Sequence, residues 1–143
     1  MKQRKKTGAQ KKVKRFVIDV NSFISFFLNK EMDWLVRYIS SNRLEIFIDK
    51  NLLTELERVL AYPKIRRILP LPIGVYVGLV ELLGTYVAVD AQPIASPDPA
   101  DDYLFNLAIQ SDAKLLVTGD KDLHSWPDSP IEMITLKEFK HLY

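Results

Sequence analysis

The chain has no cysteine, two histidines and five glycines among its 143 residues. Disulfides and thiolate metal sites are thereby excluded, and any metal must be held by oxygen ligands or by the histidines. His124 and His141 lie far apart, without metal-ligand or triad spacing, and read as surface or loop residues. Gly74, Gly78 and Gly84 make no phosphate-cradling pattern after a strand, which counts against a dinucleotide or P-loop site. Long apolar runs are missing too. No window approaches the roughly 18 uninterrupted apolar residues of a membrane span, so a soluble protein with no membrane partner is expected. A secretory signal is also rejected: Asp19 and Asn21 interrupt "FVIDVNSFISFFL", and "NKEMD" follows where small cleavage-site residues belong. The expected location is the cytoplasm, which the lack of cysteine suits.

What is present is ordinary for one globular domain: 48% apolar and 27% charged residues, in a chain long enough to bury a core without covalent staples. The net charge of +2 conceals an asymmetry. Residues 1–15, "MKQRKKTGAQKKVKR", hold eight of the 20 Lys and Arg and none of the 18 Asp and Glu, so the remainder carries −6. The expected organisation is a flexible basic arm over 1–14 and one domain over 15–143. The arm, with Lys5, Lys6, Lys11, Lys12, Lys14 and Arg15, is compatible with a solvated tail or with an electrostatic grip on phosphate backbones.

Along the domain, strand-like runs alternate with helical patterns. Residues 16–20, "RLEIFID", "TYVAV", "AKLLVTGD" and "IEMIT" read as five strands. Between them, a helix is expected from Ser22 as N-cap, then "MDWLVRYISS", "KNLLTELERVLAYP" stopped by Pro63, a short "KIRRIL", "PIGVYVGLVELLG" and "YLFNLAIQS". Thr135 and Glu138 have capping-box spacing and open a last helix. Trp34 and Trp126 read as packing residues. This alternation implies an α/β domain around a mostly parallel sheet of about five strands, with ligands expected beyond the carboxyl ends of the strands.

Acids gather at that edge. Asp19 closes the first strand, Asp120 follows the fourth with Asp122 two residues on, and Asp101 and Asp102 open the intervening helix. Carboxylates brought together repel unless a cation neutralises them, and an all-oxygen cluster is the ligand chemistry of Mg²⁺ or Mn²⁺. Such an ion activates water and offsets charge on a phosphoryl group. Taken singly, each acid also fits a structural role: Asp19 as a turn residue or N-cap, Asp101 and Asp102 as partners of a helix dipole, "TGDKD" as a turn. Glu55 and Glu57 both flank the stripe of Leu52, Leu56, Val59 and Leu60, and periodicity does not choose between them.

"VIDVN", "LLTELERVL", "DPADDYLFNLAIQSDAKLLVTGDKDL" and "ITLKEF", in this order, resemble a PIN domain, in particular the VapC-like ribonucleases that are toxin components of bacterial toxin–antitoxin pairs. The resemblance spans residues 15 to about 139. It implies a three-layer α/β/α fold and a metal-dependent endoribonuclease of the FLAP-endonuclease type, binding Mg²⁺ or Mn²⁺ through Asp19, Glu55, Asp102 and Asp120, with Asp122 accessory. It selects Glu55 over Glu57 and Asp102 over Asp101. Asn21 and Thr118 match positions that support those acids by hydrogen bonds. RNA, an antitoxin protein and a second copy of the chain are the implied partners. Val20 departs from the small hydroxyl residue usual after the first aspartate, which implies altered packing around the site. A non-catalytic PIN-like module binding RNA or protein, and a metal-dependent phosphatase or nucleotide hydrolase, are the alternative readings.

Overall fold

The computed structural model describes residues 13–143. Strands β1 (Lys14–Ile18), β2 (Leu44–Ile48), β3 (Thr85–Tyr86), β4 (Leu115–Val117) and β5 (Met133–Ile134) form one parallel sheet in the order β3-β2-β1-β4-β5. Phe16, Val17 and Ile18 of β1 and Leu116 and Val117 of β4 are wholly buried, as expected where helices cover both faces of a parallel sheet. That two-sided burial is why the strands read as continuous apolar runs.

The helices are α1 (Val20–Leu28), α2 (Met32–Asn42), α3 (Lys50–Leu60), α4 (Pro63–Ile68), α5 (Ile73–Leu83), α6 (Asp102–Gln110), α7 (Lys121–His124) and α8 (Leu136–Lys140). On one face Phe16 meets Phe139 of α8 edge-on, and the Tyr38 hydroxyl of α2 donates to the Phe139 carbonyl at 2.6 Å. On the other, α6 lies against β1, β2 and β4, and its Phe105 meets Trp126. The result is the three-layer α/β/α arrangement that the family resemblance implies.

Local chemistry explains the boundaries. The first strand covers Lys14–Ile18 and stops before Asp19. The Asp19 carboxylate accepts the Ser22 N–H at 2.8 Å, so Asp19, not Ser22, is the N-cap of α1. Asp49 does the same after β2, accepting the Leu52 N–H at 2.9 Å. Asp120 caps α7 after β4, and the Thr135–Glu138 capping box opens α8 after β5. "TYVAV" pairs only over Thr85–Tyr86, with Val87 adding one bond to the Ile48 carbonyl. Beyond it the chain runs along α6. There Asn106 exchanges hydrogen bonds with the Gln92 N–H and C=O, and Gln110 exchanges them with those of Asp90.

Lys14 and Arg15 belong to the sheet. Lys14 donates to the Asn42 carbonyl and lies over the Tyr143 ring; Arg15 donates to the Ser111 carbonyl. Both stand at the amino-terminal edge of β1, the end away from Asp19. Lys5, Lys6, Lys11 and Lys12 lie outside the described residues.

Candidate active site

β1 sits between β2 and β4, so the chain winds away from it in both directions, and the crevice beyond β1 and β4 is the topological switch point of the sheet. The Asp19 N–H donates to the Val117 carbonyl at 3.0 Å, which ties the end of β1 to the end of β4. A cavity of about 310 Å³ opens there. Four acids line it, each delivered by a different piece of structure: Asp19 from the end of β1, Glu55 from the second turn of α3, Asp101 from the 3₁₀ turn Pro99–Asp101, and Asp120 from the N-cap of α7. Among the described residues no Lys, Arg or His lines it.

The electrostatics follow from that crowding. Burial pushes the Asp19 carboxyl up, hydrogen bonds with Ser22 and Thr118 pull against this, and the Asp120 charge pushes further upward. Asp101 is raised to about 6 by burial, then by Asp98, Asp120, Asp19 and Glu55. The Tyr103 hydroxyl, in the same wall, is pushed well up by burial and by the field of Glu55, Asp19, Asp101 and Asp49. All three shifts express one fact. Burial comes first in each and the neighbouring acids add to it, so the cavity resists further negative charge.

Thr118 is fully buried; its Oγ1 accepts the Asp120 N–H at 3.1 Å and the hydroxyl also bonds to Asp19. Asn21 lines the cavity and is exposed. Val20, where a hydroxyl residue would be usual, is buried in the first turn of α1 and contributes an apolar patch to the wall. His124 is a backbone partner: its Nε2 lies 2.6 Å from the Thr118 carbonyl oxygen.

Two expected acids are placed elsewhere. Asp102 does not line the cavity. Its carboxylate accepts the Ser96 hydroxyl and the Ser96 N–H, the latter at 3.3 Å, and so closes the proline-rich loop. Its neighbour Asp101 lines the cavity instead. Asp122 is exposed on α7, where its N–H donates to Asp120 Oδ1 at 2.9 Å, and it does not line the cavity. Tyr103 is an addition that the sequence pattern did not single out. Its signal is its place next to Asp101 and Asp102 at the helix start.

The donor set suits a hard divalent ion, since every candidate ligand is a carboxylate and no described residue of the lining is basic. Among the described residues no three His, Asp or Glu side chains stand gathered as a ready-made ligand set. Asp19 is committed to the α1 N-terminus through one oxygen, and Glu55 is paired with Arg58. The residues fit a cation in the chemistry of their donors.

A family model described as PIN domain matches residues 15–122. No curated protein sequence matches the chain. Solved structures do. A crystal structure of VapBC2 from Rickettsia felis bound to a DNA fragment from their promoter superposes with a TM-score of 0.56 and 14% identity, covering 85% of this chain and 98% of that one. The PIN domain endonuclease Utp24 superposes with a TM-score of 0.54 and 16% identity, covering 85% and 84%. At these identities the likeness is one of fold.

Proposed function

The chain belongs to the PIN domain family, and from that premise we propose that it is a metal-dependent endoribonuclease and the toxin of a toxin–antitoxin pair. One observation carries the reading: Asp19, Glu55, Asp101 and Asp120 come from four separate elements to one cavity at the switch point of the sheet, with no basic side chain among the described residues of its wall. A fold that needed these acids only as helix caps would have no reason to converge them. Fold likeness to a toxin–antitoxin complex and to an endonuclease supports the same class of activity.

In this reading Mg²⁺ or Mn²⁺ held by the four acids supplies charge neutralisation for a phosphodiester and an acidified water for attack. The chain's own part is to hold the donors in place. Asp19 is fixed by the α1 N-terminus and Thr118, and Asp120 by the same threonine. Tyr103 and Leu104 line the cavity with Val20, giving it a partly apolar wall. The described histidine nearest the site has its Nε2 against a backbone carbonyl, so no side-chain acid–base pair competes with this account.

For protein partners, an antitoxin or a second copy, the support is an apolar groove of about 270 Å³ between α2 and α5, where Val36, Leu79 and Leu82 are exposed, Leu82 by 86%. No helix among the described residues is long and apolar enough to cross a membrane.

The test is cleavage of labelled single-stranded RNA by wild type and by Asp19→Asn, each with Mn²⁺, Mg²⁺ or EDTA. Metal-dependent cutting by the wild type alone is expected. Equal cutting by both proteins would mean a contaminant, and RNA binding without cutting would point to a non-catalytic module.

A further inference from the structure

Glu55 reaches the cavity from α3, yet both of its carboxylate oxygens are already engaged. Arg58 donates from Nε to Oε1 at 3.0 Å and from Nη2 to Oε2 at 2.5 Å, while its Nη1 donates to the Tyr62 hydroxyl. The guanidinium also lies 5.5 Å from the Tyr62 ring centroid, so Tyr62 holds it from the side remote from Glu55. This fork-to-fork pairing spans one turn of α3 and is open to water, with the Arg58 and Glu55 side chains 59% and 33% exposed. Exposed pairs of this spacing are weak and exchange readily.

Two further facts bear on it. Among the described residues the cavity has no basic lining residue, and no three of the acids stand gathered as a ligand set. A cation collecting those acids must compete with Arg58 for Glu55. The guanidinium fork that fits a carboxylate also fits a phosphodiester, and a displaced Arg58 would be a free cation one helical turn from the site.

We infer that Arg58 is a positioning residue that exchanges partners: it holds Glu55 while the site is empty of metal, and when Glu55 turns to the ion Arg58 takes the phosphate of single-stranded RNA beside the cavity. The inference rests on the metal-dependent nuclease reading above. It gives the site an order of events. Metal binding releases the residue that then grips the substrate, so metal and RNA bind cooperatively through the α3 turn.

The test is calorimetric titration of Mn²⁺ alone into wild type, Arg58→Ala and Arg58→Lys, followed by fluorescence anisotropy of a labelled single-stranded RNA with EDTA or with Mn²⁺ at low temperature, the RNA checked intact on a gel. Arg58→Ala should bind Mn²⁺ roughly two- to fivefold more tightly, the scale of an exposed ion pair. Arg58→Lys keeps the charge and loses the two-pronged bond, and should shift the same way. With Mn²⁺ present, Arg58→Ala should lose roughly tenfold in RNA affinity, the scale of a charge-assisted bond, and with EDTA it should lose none. If Arg58→Lys binds Mn²⁺ like wild type while Arg58→Ala binds more tightly, the effect is general charge and the exchange is overturned. Equal Mn²⁺ affinity in all three proteins also overturns it and leaves the nuclease reading standing. Absence of Mn²⁺ binding by the wild type overturns both.

Discussion

Thr118 Oγ1 accepts the backbone N–H of Asp120 at 3.1 Å while the same hydroxyl bonds to the Asp19 carboxylate. One buried side chain thus couples the ends of β1 and β4. Both strands end in caps for separate helices, α1 and α7, so the caps alone would leave the two carboxylates free to move independently.

Thr118→Val tests that coupling at nearly constant volume. It leaves the Asp120 N–H without its partner and takes one donor from Asp19, which keeps the Ser22 N–H. Metal-dependent cleavage should fall about 10- to 100-fold, as when the supporting shell of a metal site is removed. Stability should fall by about 1–3 kcal/mol, the cost of unpaired buried polar groups, read as a lower urea midpoint. An unchanged cleavage rate would show that the two acids do not need the link.

Asp101→Asn and Asp102→Asn separate neighbours that have opposite surroundings. Asp101 lines the cavity among acids, whereas Asp102 closes a loop on Ser96. Asp101→Asn should cut metal-dependent cleavage by at least about tenfold, the lower scale for a disturbed metal site. Asp102→Asn should keep most of the cleavage and show its effect as faster proteolysis of residues 90–98. The reverse pattern would return Asp102 to the ligand set.

Much of this was legible in the sequence, for a physical reason. In a parallel sheet both faces are covered, so β1, β2 and β4 appear as bare apolar runs, and an aspartate directly after such a run marks the functional edge. Asp19 and Asp120 were identified that way. Asp101 and Asp102 could not be resolved by pattern, because successive residues at a helix start point about 100° apart, and the turn Pro99–Asp101 decides which one faces inward. Family resemblance selects Asp102, whereas the cavity is lined by Asp101. The partner that holds Asp102, Ser96, comes from an irregular loop with no periodicity to read. The Arg58 fork on Glu55 was equally hidden, since an i,i+3 pair on an exposed face is common in any helix.

The raised carboxyls make stability depend on pH in a definite direction. Asp101 titrates at about 6 when folded, against an unfolded value near 3.9, and Asp19 is shifted the same way. Between those values the folded protein binds more protons than the unfolded chain, so stability falls as pH rises through about 6. In EDTA the melting temperature should therefore be higher at pH 5 than at pH 7.5. Asp101→Asn should flatten the profile, and Mn²⁺ should raise the melting temperature more at pH 7.5 than at pH 5. A wild-type profile unchanged by Asp101→Asn would remove Asp101 from the charge cluster.

Asn106 ties loop geometry to the site and yields the last prediction. It is buried on α6, and its amide exchanges hydrogen bonds with both backbone groups of Gln92, at 3.1 Å each, while Gln110 repeats the arrangement one turn on with Asp90. This strap fixes the proline-rich loop against the helix, and the loop ends in the turn that aims Asp101 at the cavity. Asn106→Ala removes both bonds and leaves the Gln92 groups to find water, at a cost of about 1–3 kcal/mol. If the loop sets the aim of Asp101, cleavage should fall together with Mn²⁺ affinity, although Asn106 does not line the cavity. Gln110→Ala, on the exposed part of the strap, should do the same more weakly. Should Asn106→Ala lower the melting temperature while Mn²⁺ affinity and cleavage stay at wild-type values, the turn Pro99–Asp101 holds its own geometry and the strap serves stability alone.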